Sequence, residues 1–361
     1  MSRHLLGGWC AVVLFAVCGC APPGVTTTNA GGAPTAQQHR PDHLSDRPAG
    51  DGRPLALSSS ATGGLSLITE PGAGDRPFIA LIDSARRSVR MTMYELEDQR
   101  VEQALAVVAS RGVHVIVLLD PGRYGAGRPG NQAAYNYLRA HDVTVAWAPA
   151  YFALVHQKSI LIDQRTAVIM TLNLTPAYYS SSRDFAVLDR RPADVDAIAR
   201  AFDADMRGRQ VTPGAGSGDL VWSPGAQTEI TALTAGARRS LDIETEEMRD
   251  SAETHQLCQD ARNGVRVRVL MTYQPAWRAA LPYLARCGAQ VRTYAASAAL
   301  YIHAKMIGID QRLVFLGSQN LSRQSLLYNR ELGIITQSPQ IVASVGRTFS
   351  SDFIAAQLYR P

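Results

Sequence analysis

Two stretches of this chain carry one series of polar residues at the same intervals, and no other feature narrows the fold as far. The first runs His156-Gln157-Lys158, then Asp163, Asn173 and Asp184; the second runs His303-Ala304-Lys305, then Asp310, Asn320 and Glu331. In both, Lys follows His by 2, Asp follows Lys by 5, Asn follows Asp by 10 and an acid follows Asn by 11. Matched spacing of this kind marks an internal duplication, which limits the chain to an architecture that can be built twice and joined.

The flanking sequence repeats as well. Residues 78–88 and 230–240 are both helix-like apolar patterns ending in Ala-Arg-Arg-Ser, and 89–94 and 241–246 then alternate as strands. Helical stretches follow, and then the strand-like runs 112–119 and 264–271, each opening on Gly-Val. Strands alternating with helices specify an α/β fold, here two similar halves related by a pseudo-twofold, with mixed sheets flanked by helices. The expected halves are 65–212 and 218–361.

Composition excludes little beyond this. Of 361 residues 46% are apolar and 19% charged, an ordinary globular balance, and no apolar run reaches the ~18–20 residues of a spanning helix. Net charge is +5, compatible with an anionic partner without demanding one. All but two of the 36 basic residues are Arg, and the two lysines, Lys158 and Lys305, both sit in the repeated series.

At the N-terminus, Arg3 leads into an apolar stretch over 5–17 and then Val17-Cys18-Gly19-Cys20, which looks like the lipobox of bacterial lipoproteins. Residues 1–20 are expected to be a signal peptide with Cys20 the lipidated residue; the alternative is an ordinary cleaved signal, and either way the chain is exported. The Pro-, Thr-, Gly- and Ser-rich stretch 21–64 reads as a flexible linker.

The pattern H-x-K-x4-D followed by Gly-Ser-x-Asn resembles the double signature of the phospholipase D superfamily. Gly317-Ser318-Gln319-Asn320 matches it fully; Met170-Thr171-Leu172-Asn173 keeps a hydroxyl but replaces the Gly. The resemblance implies that Asp184 and Glu331 occupy the family's acidic position. It also implies that His156 is the nucleophile and His303 the acid/base, and that no metal or other cofactor is needed.

Physical chemistry leads the same way. Residues two apart on an extended strand share a face, so each His projects with its Lys, and Thr171 with Asn173 and Ser318 with Asn320. Two such faces meeting make a pocket for a phosphodiester: cationic and amide donors for its nonbridging oxygens, and imidazoles as nucleophile and as acid/base. A nucleophilic imidazole needs its second nitrogen held by a carboxylate, for which Asp184 and Glu331 are the candidates. Asp163 and Asp310 fall on the opposite face and read as structural. His114, His141 and His255 read as ordinary core or surface residues, His39 and His43 as solvated, and Glu244, Glu246 and Glu247 as a local charge cluster.

The favoured substrate is a phospholipid at a membrane surface, cleaved to phosphatidic acid and an alcohol. The alternatives are an exported nuclease, with nucleic acid as partner, and a phosphatidyl-transferase of the cardiolipin synthase kind. The expected oligomeric state is a monomer. Cys258 and Cys287 flank one strand in helical stretches, bridged if those helices share a face of the sheet and apart if they do not.

Overall fold

A computed structural model describes residues 64–122, 130–277 and 279–360. The expected signal peptide, Cys20 and the linker through residue 63 lie outside the described residues.

The first half runs β1 (Leu65–Glu70), α1 (Arg76–Asp83), β2 (Ser88–Met93), α2 (Gln99–Ser110), β3 (His114–Leu119), α3 (Gln132–Arg139) and β4 (Thr144–Trp147). It continues through β5 (Ser159–Ile162), β6 (Thr166–Met170), α4 (Pro176–Tyr179), β7 (Ser182–Asp189) and α5 (Pro192–Met206). The second half repeats this order: β8 (Leu220–Ser223), α6 (Ala226–Ala235), β9 (Ser240–Glu244), α7 (Ser251–Arg262), β10 (Arg266–Thr272), α8 (Ala280–Arg286) and β11 (Gln290–Tyr294). After a short β12 (Tyr301–Ile302) come β13 (Met306–Ile309), β14 (Leu313–Gly317), α9 (Arg323–Leu327), β15 (Glu331–Thr336), α10 (Pro339–Ala355) and β16 (Gln357–Leu358).

Sheet order confirms the duplication. The first sheet is β1-β7-β6-β5-β2-β3-β4 and the second, read from its β8 edge, is β8-β15-β14-β13-β9-β10-β11-β16. The β2-β3-β4 and β9-β10-β11 ladders are parallel, as helix crossovers require, and the hairpins β5-β6 and β13-β14 are antiparallel. Helices α5 and α10 lie in a core shared by both halves, where Val195 and Ile198 of one half and Val345 and Phe349 of the other are buried together. Central strands therefore bury both faces, which is why runs such as 167–170 and 313–316 are apolar without alternation.

Each Ala-Arg-Arg-Ser repeat is a linker into a strand, with α1 ending at Asp83 and α6 at Ala235. Asp163 accepts the backbone N–H groups of Arg86, Arg87 and Ser88, and Asp310 those of Arg238, Arg239 and Ser240. Burial would raise these carboxyls, but the backbone donors hold both below the usual range. Both aspartates sit at positive φ, closing the turns after β5 and β13. Their place is structural, at the end of the sheet.

The missing glycine is absorbed locally. A side chain at Gly317 would collide with Gly333 on the neighbouring β15 and with the Phe315 ring of its own strand, whereas Met170 pairs with Ala186 in the same register and is packed in the first-half core. Cys258 on α7 and Cys287 after α8 form a disulfide, with Cα atoms 5.2 Å apart, so the two helices do share one face.

Candidate active site

The two His-x-Lys segments are extended but lie just outside the strands, ahead of β5 and β13. Each is held by the opposite half. His303 N–H and Ala304 N–H donate to the carbonyl of Arg183, while His156 N–H and Gln157 N–H donate to that of Arg330. The preceding residues complete the exchange: β12 adds parallel to β7, and Val155 bridges to Arg330. Both histidines thus reach one cavity of about 970 Å³, lined also by Tyr94, Asn173, Tyr178, Glu246 and Asn320.

The carboxylates cross over too. His156 Nδ1 lies 2.8 Å from Glu331 Oε2, and His303 Nδ1 lies 2.9 Å from Asp184 Oδ1. Since a carboxylate only accepts, each Nδ1 carries the proton and each Nε2 is left for chemistry. Burial would raise Glu331, but His156, Lys158 and the Ser318 hydroxyl hold it below its ordinary value. Ser325 and Asn329 donate to its other oxygen, so the ion is fully bonded.

The environments of the two imidazoles differ. Burial lowers His156 to about 4 against the opposing pull of Glu331, so the ring is neutral at pH 7. Tyr94 meets it edge-on at 4.4 Å. His303 stacks on Tyr178 at 5.0 Å, and its Nε2 lies 3.6 Å from Glu246 Oε2, so both its nitrogens face carboxylates.

The lysines lie behind the histidines. Lys158 Nζ donates to the His156 carbonyl at 2.6 Å and sits 4.9 Å from the Tyr94 ring centroid. Burial lowers its ammonium to about 7, opposed by Glu331 and reinforced by Lys305. Lys305 Nζ donates to the His303 carbonyl at 2.5 Å and to Glu246 Oε2 at 3.0 Å. Asn173 and Asn320 enter the same cavity.

Two expectations change. Thr171 and Ser318 do not face the cavity as phosphate ligands. Thr171 Oγ1 donates to Asp184 at 2.5 Å and accepts from Phe185 N–H, and Ser318 Oγ accepts from Leu332 N–H. Strands β6 and β14 end at Met170 and Gly317, so the alternation that placed these hydroxyls beside Asn173 and Asn320 has already lapsed. The hydroxyls buttress the carboxylates instead.

Glu246 is the second change, being a cavity residue and not part of a bland charge cluster. Burial opposes its ionisation, yet Lys305 and His303 hold it far below the ordinary carboxylate range. Its aligned residue is Tyr94, so the repeat hid it. Sequence reasoning also missed Arg183, Arg330, Asp205 and Asp352. Arg183 pairs with Asp352 and Arg330 with Asp205, again across the halves. Arg183 and Arg330, like Asp205 and Asp352, stand 147 apart, the offset that separates His156 from His303, so reading the repeat to the residue before each acid and to the one 21 after it would have found them.

No group of three or more potential metal ligands occurs among the described residues. What remains is a cavity between two duplicated α/β halves with a neutral, carboxylate-held imidazole on one wall and an imidazole set between two carboxylates on the other. Ammonium and amide donors lie beside both, which can serve in-line displacement at a phosphodiester.

That class has a family. The family model "Cardiolipin synthase, PLD-like domain" matches residues 78–206 and 230–353, and the chain belongs to this phospholipase D-like family as a two-domain member. Cardiolipin synthase B of Escherichia coli (strain K12) is 25% identical over 306 residues, covering 72% of each chain. Phospholipase D of Rickettsia conorii is 30% identical over 123 residues, 34% of this chain and 58% of that protein. The structure of phosphatidylserine synthase from Haemophilus influenzae superposes with a TM-score of 0.65 at 15% identity, covering 82% of this chain and 88% of that one, a likeness of fold.

Proposed function

We propose that this protein transfers a phosphatidyl group from a phospholipid to an alcohol through a phosphohistidine on His156. The observation that carries the reading is the crossed pairing of His156 with Glu331 and of His303 with Asp184 at one cavity. His156 Nε2 attacks phosphorus and the bond to the head-group oxygen breaks, with His303 Nε2–H supplying the proton to that oxygen. Glu331 offsets the charge that the imidazole gains. Lys158, Lys305, Asn173 and Asn320 hold the nonbridging oxygens. In the second step His303 takes the proton of the incoming alcohol, whose oxygen displaces His156 from phosphorus.

Transfer is favoured over the hydrolysis first expected because the family model and the relatives that cover most of the chain are cardiolipin synthases by description. Hydrolysis is the same scheme with water as acceptor, and the partial likeness to a phospholipase D supports it as the second reading. Export and lipidation at Cys20 would hold the cavity near a bilayer; the sequence of residues 1–20 supports that placement.

The test is incubation with vesicles of phosphatidylethanolamine or phosphatidylcholine plus glycerol, following lipid products. A lipid with an exchanged head group is expected, reduced at least ~10²-fold in His156→Ala and His303→Ala. Phosphatidic acid alone would favour the second reading. Cleavage of plasmid DNA with the same His dependence and no lipid product would refute both.

A further inference from the structure

Three nitrogens of the second half converge on a single oxygen. Lys305 Nζ lies 3.0 Å from Glu246 Oε2, Asn320 Nδ2 3.5 Å and His303 Nε2 3.6 Å. Two of these are the groups that the proposed function offers to phosphate, and the third is the nitrogen that serves the alcohol. The Glu246 carboxylate therefore fills the seat that a phosphodiester must take. Tyr301 OH fixes its other oxygen at 3.0 Å. The side chain retains 23% of its exposure, whereas those of Asp184 and Glu331 retain none.

The opposite wall is built differently. At the position aligned with Glu246 stands Tyr94, whose ring meets His156 and lies under Lys158. Glu95 on that wall accepts from Asn173 Nδ2 at 3.1 Å. The carboxylate that is ion-paired to a motif lysine and faces a catalytic Nε2 thus belongs to the His303 side, where the alcohol leaves and enters.

We propose that Glu246 sets the alcohol specificity of the site. This rests on the transferase reading and adds a substrate class to it. When a phosphodiester takes Lys305 and Asn320, Glu246 Oε2 is released beside the alcohol oxygen held at His303 Nε2. There it accepts a hydrogen bond from a second hydroxyl or an ammonium of that alcohol. The same charge repels an alcohol that itself carries phosphate. Glu246 thus selects polyols and amino alcohols over simple alcohols and over anionic ones.

The experiment offers full-length protein and phosphatidylethanolamine vesicles a choice of glycerol, ethanol and glycerol 3-phosphate, and reads the ratios of the new lipids. The wild-type protein is expected to prefer glycerol over both competitors. Glu246→Leu removes the acceptor and should lower the glycerol-to-ethanol ratio ~10-fold or more, on the scale of a lost specificity hydrogen bond. Glu246→Gln removes only the charge and should raise the share of glycerol 3-phosphate product. If both variants slow every acceptor by one factor and leave the ratios unchanged, Glu246 merely positions Lys305 and the proposal is overturned. A wild-type protein that forms no new lipid with any acceptor overturns the transferase reading, and this one with it.

Discussion

His156 and His303 come from copies of one motif, yet their surroundings differ, and the proposed mechanism divides the chemistry between them accordingly. His156 is lowered to about 4 by burial, so it is a neutral base throughout the physiological range. Its neighbour Lys158 is lowered to about 7 by burial and is a cation only below that pH. The expected kcat/KM therefore rises as pH climbs through about 4, where His156 loses its proton, and falls above about 7, where Lys158 loses the charge that grips phosphate. Arg stays protonated, so Lys158→Arg should lower the maximum and move the alkaline limb upward. A limb that stays put in that variant would assign it to another group.

At the scale of elements, the site is held by exchange between the halves. Arg330 is fully buried, forks onto Asp205 of α5 and packs over Phe152, while its carbonyl carries the His156 segment. Asp205→Asn leaves a buried guanidinium without its counter-charge, a change that costs ~3–5 kcal/mol. A lower melting temperature is expected together with a kcat that falls more than KM rises, because the displaced segment bears His156, the proposed nucleophile. Lost stability with unchanged kcat would show that the pair only joins the halves. The Cys258–Cys287 bridge encloses a separation of 29 residues, and replacing both by Ser should cost about 3–4 kcal/mol in denaturant titration. Turnover at low temperature should be unaffected, since α7 and α8 carry none of the proposed catalytic side chains.

For the molecule as a whole, the paired motifs and the two halves were legible because duplication imposes the same intervals twice, and the α/β class because strand and helix periodicities alternate in each half. The partners of the histidines were legible as residues, but their crossing was not. A repeat says what each half contains and nothing of how the halves interlock. Glu246 was hidden for the opposite reason, since it breaks the repeat, and Thr171 and Ser318 were misplaced because alternation was carried past the end of a strand. Where the two halves differ, function can be asymmetric, and that asymmetry is the central claim. It is tested most directly by rapid acid-free quenching of His303→Ala with labelled phospholipid, followed by mapping of the phosphorylated residue by mass spectrometry. Label is predicted to accumulate on Nε2 of His156, because the departing alcohol is lost slowly but the water or alcohol that clears the intermediate lacks its base. Label on any other residue, or turnover by a protein that never carries label, would contradict it.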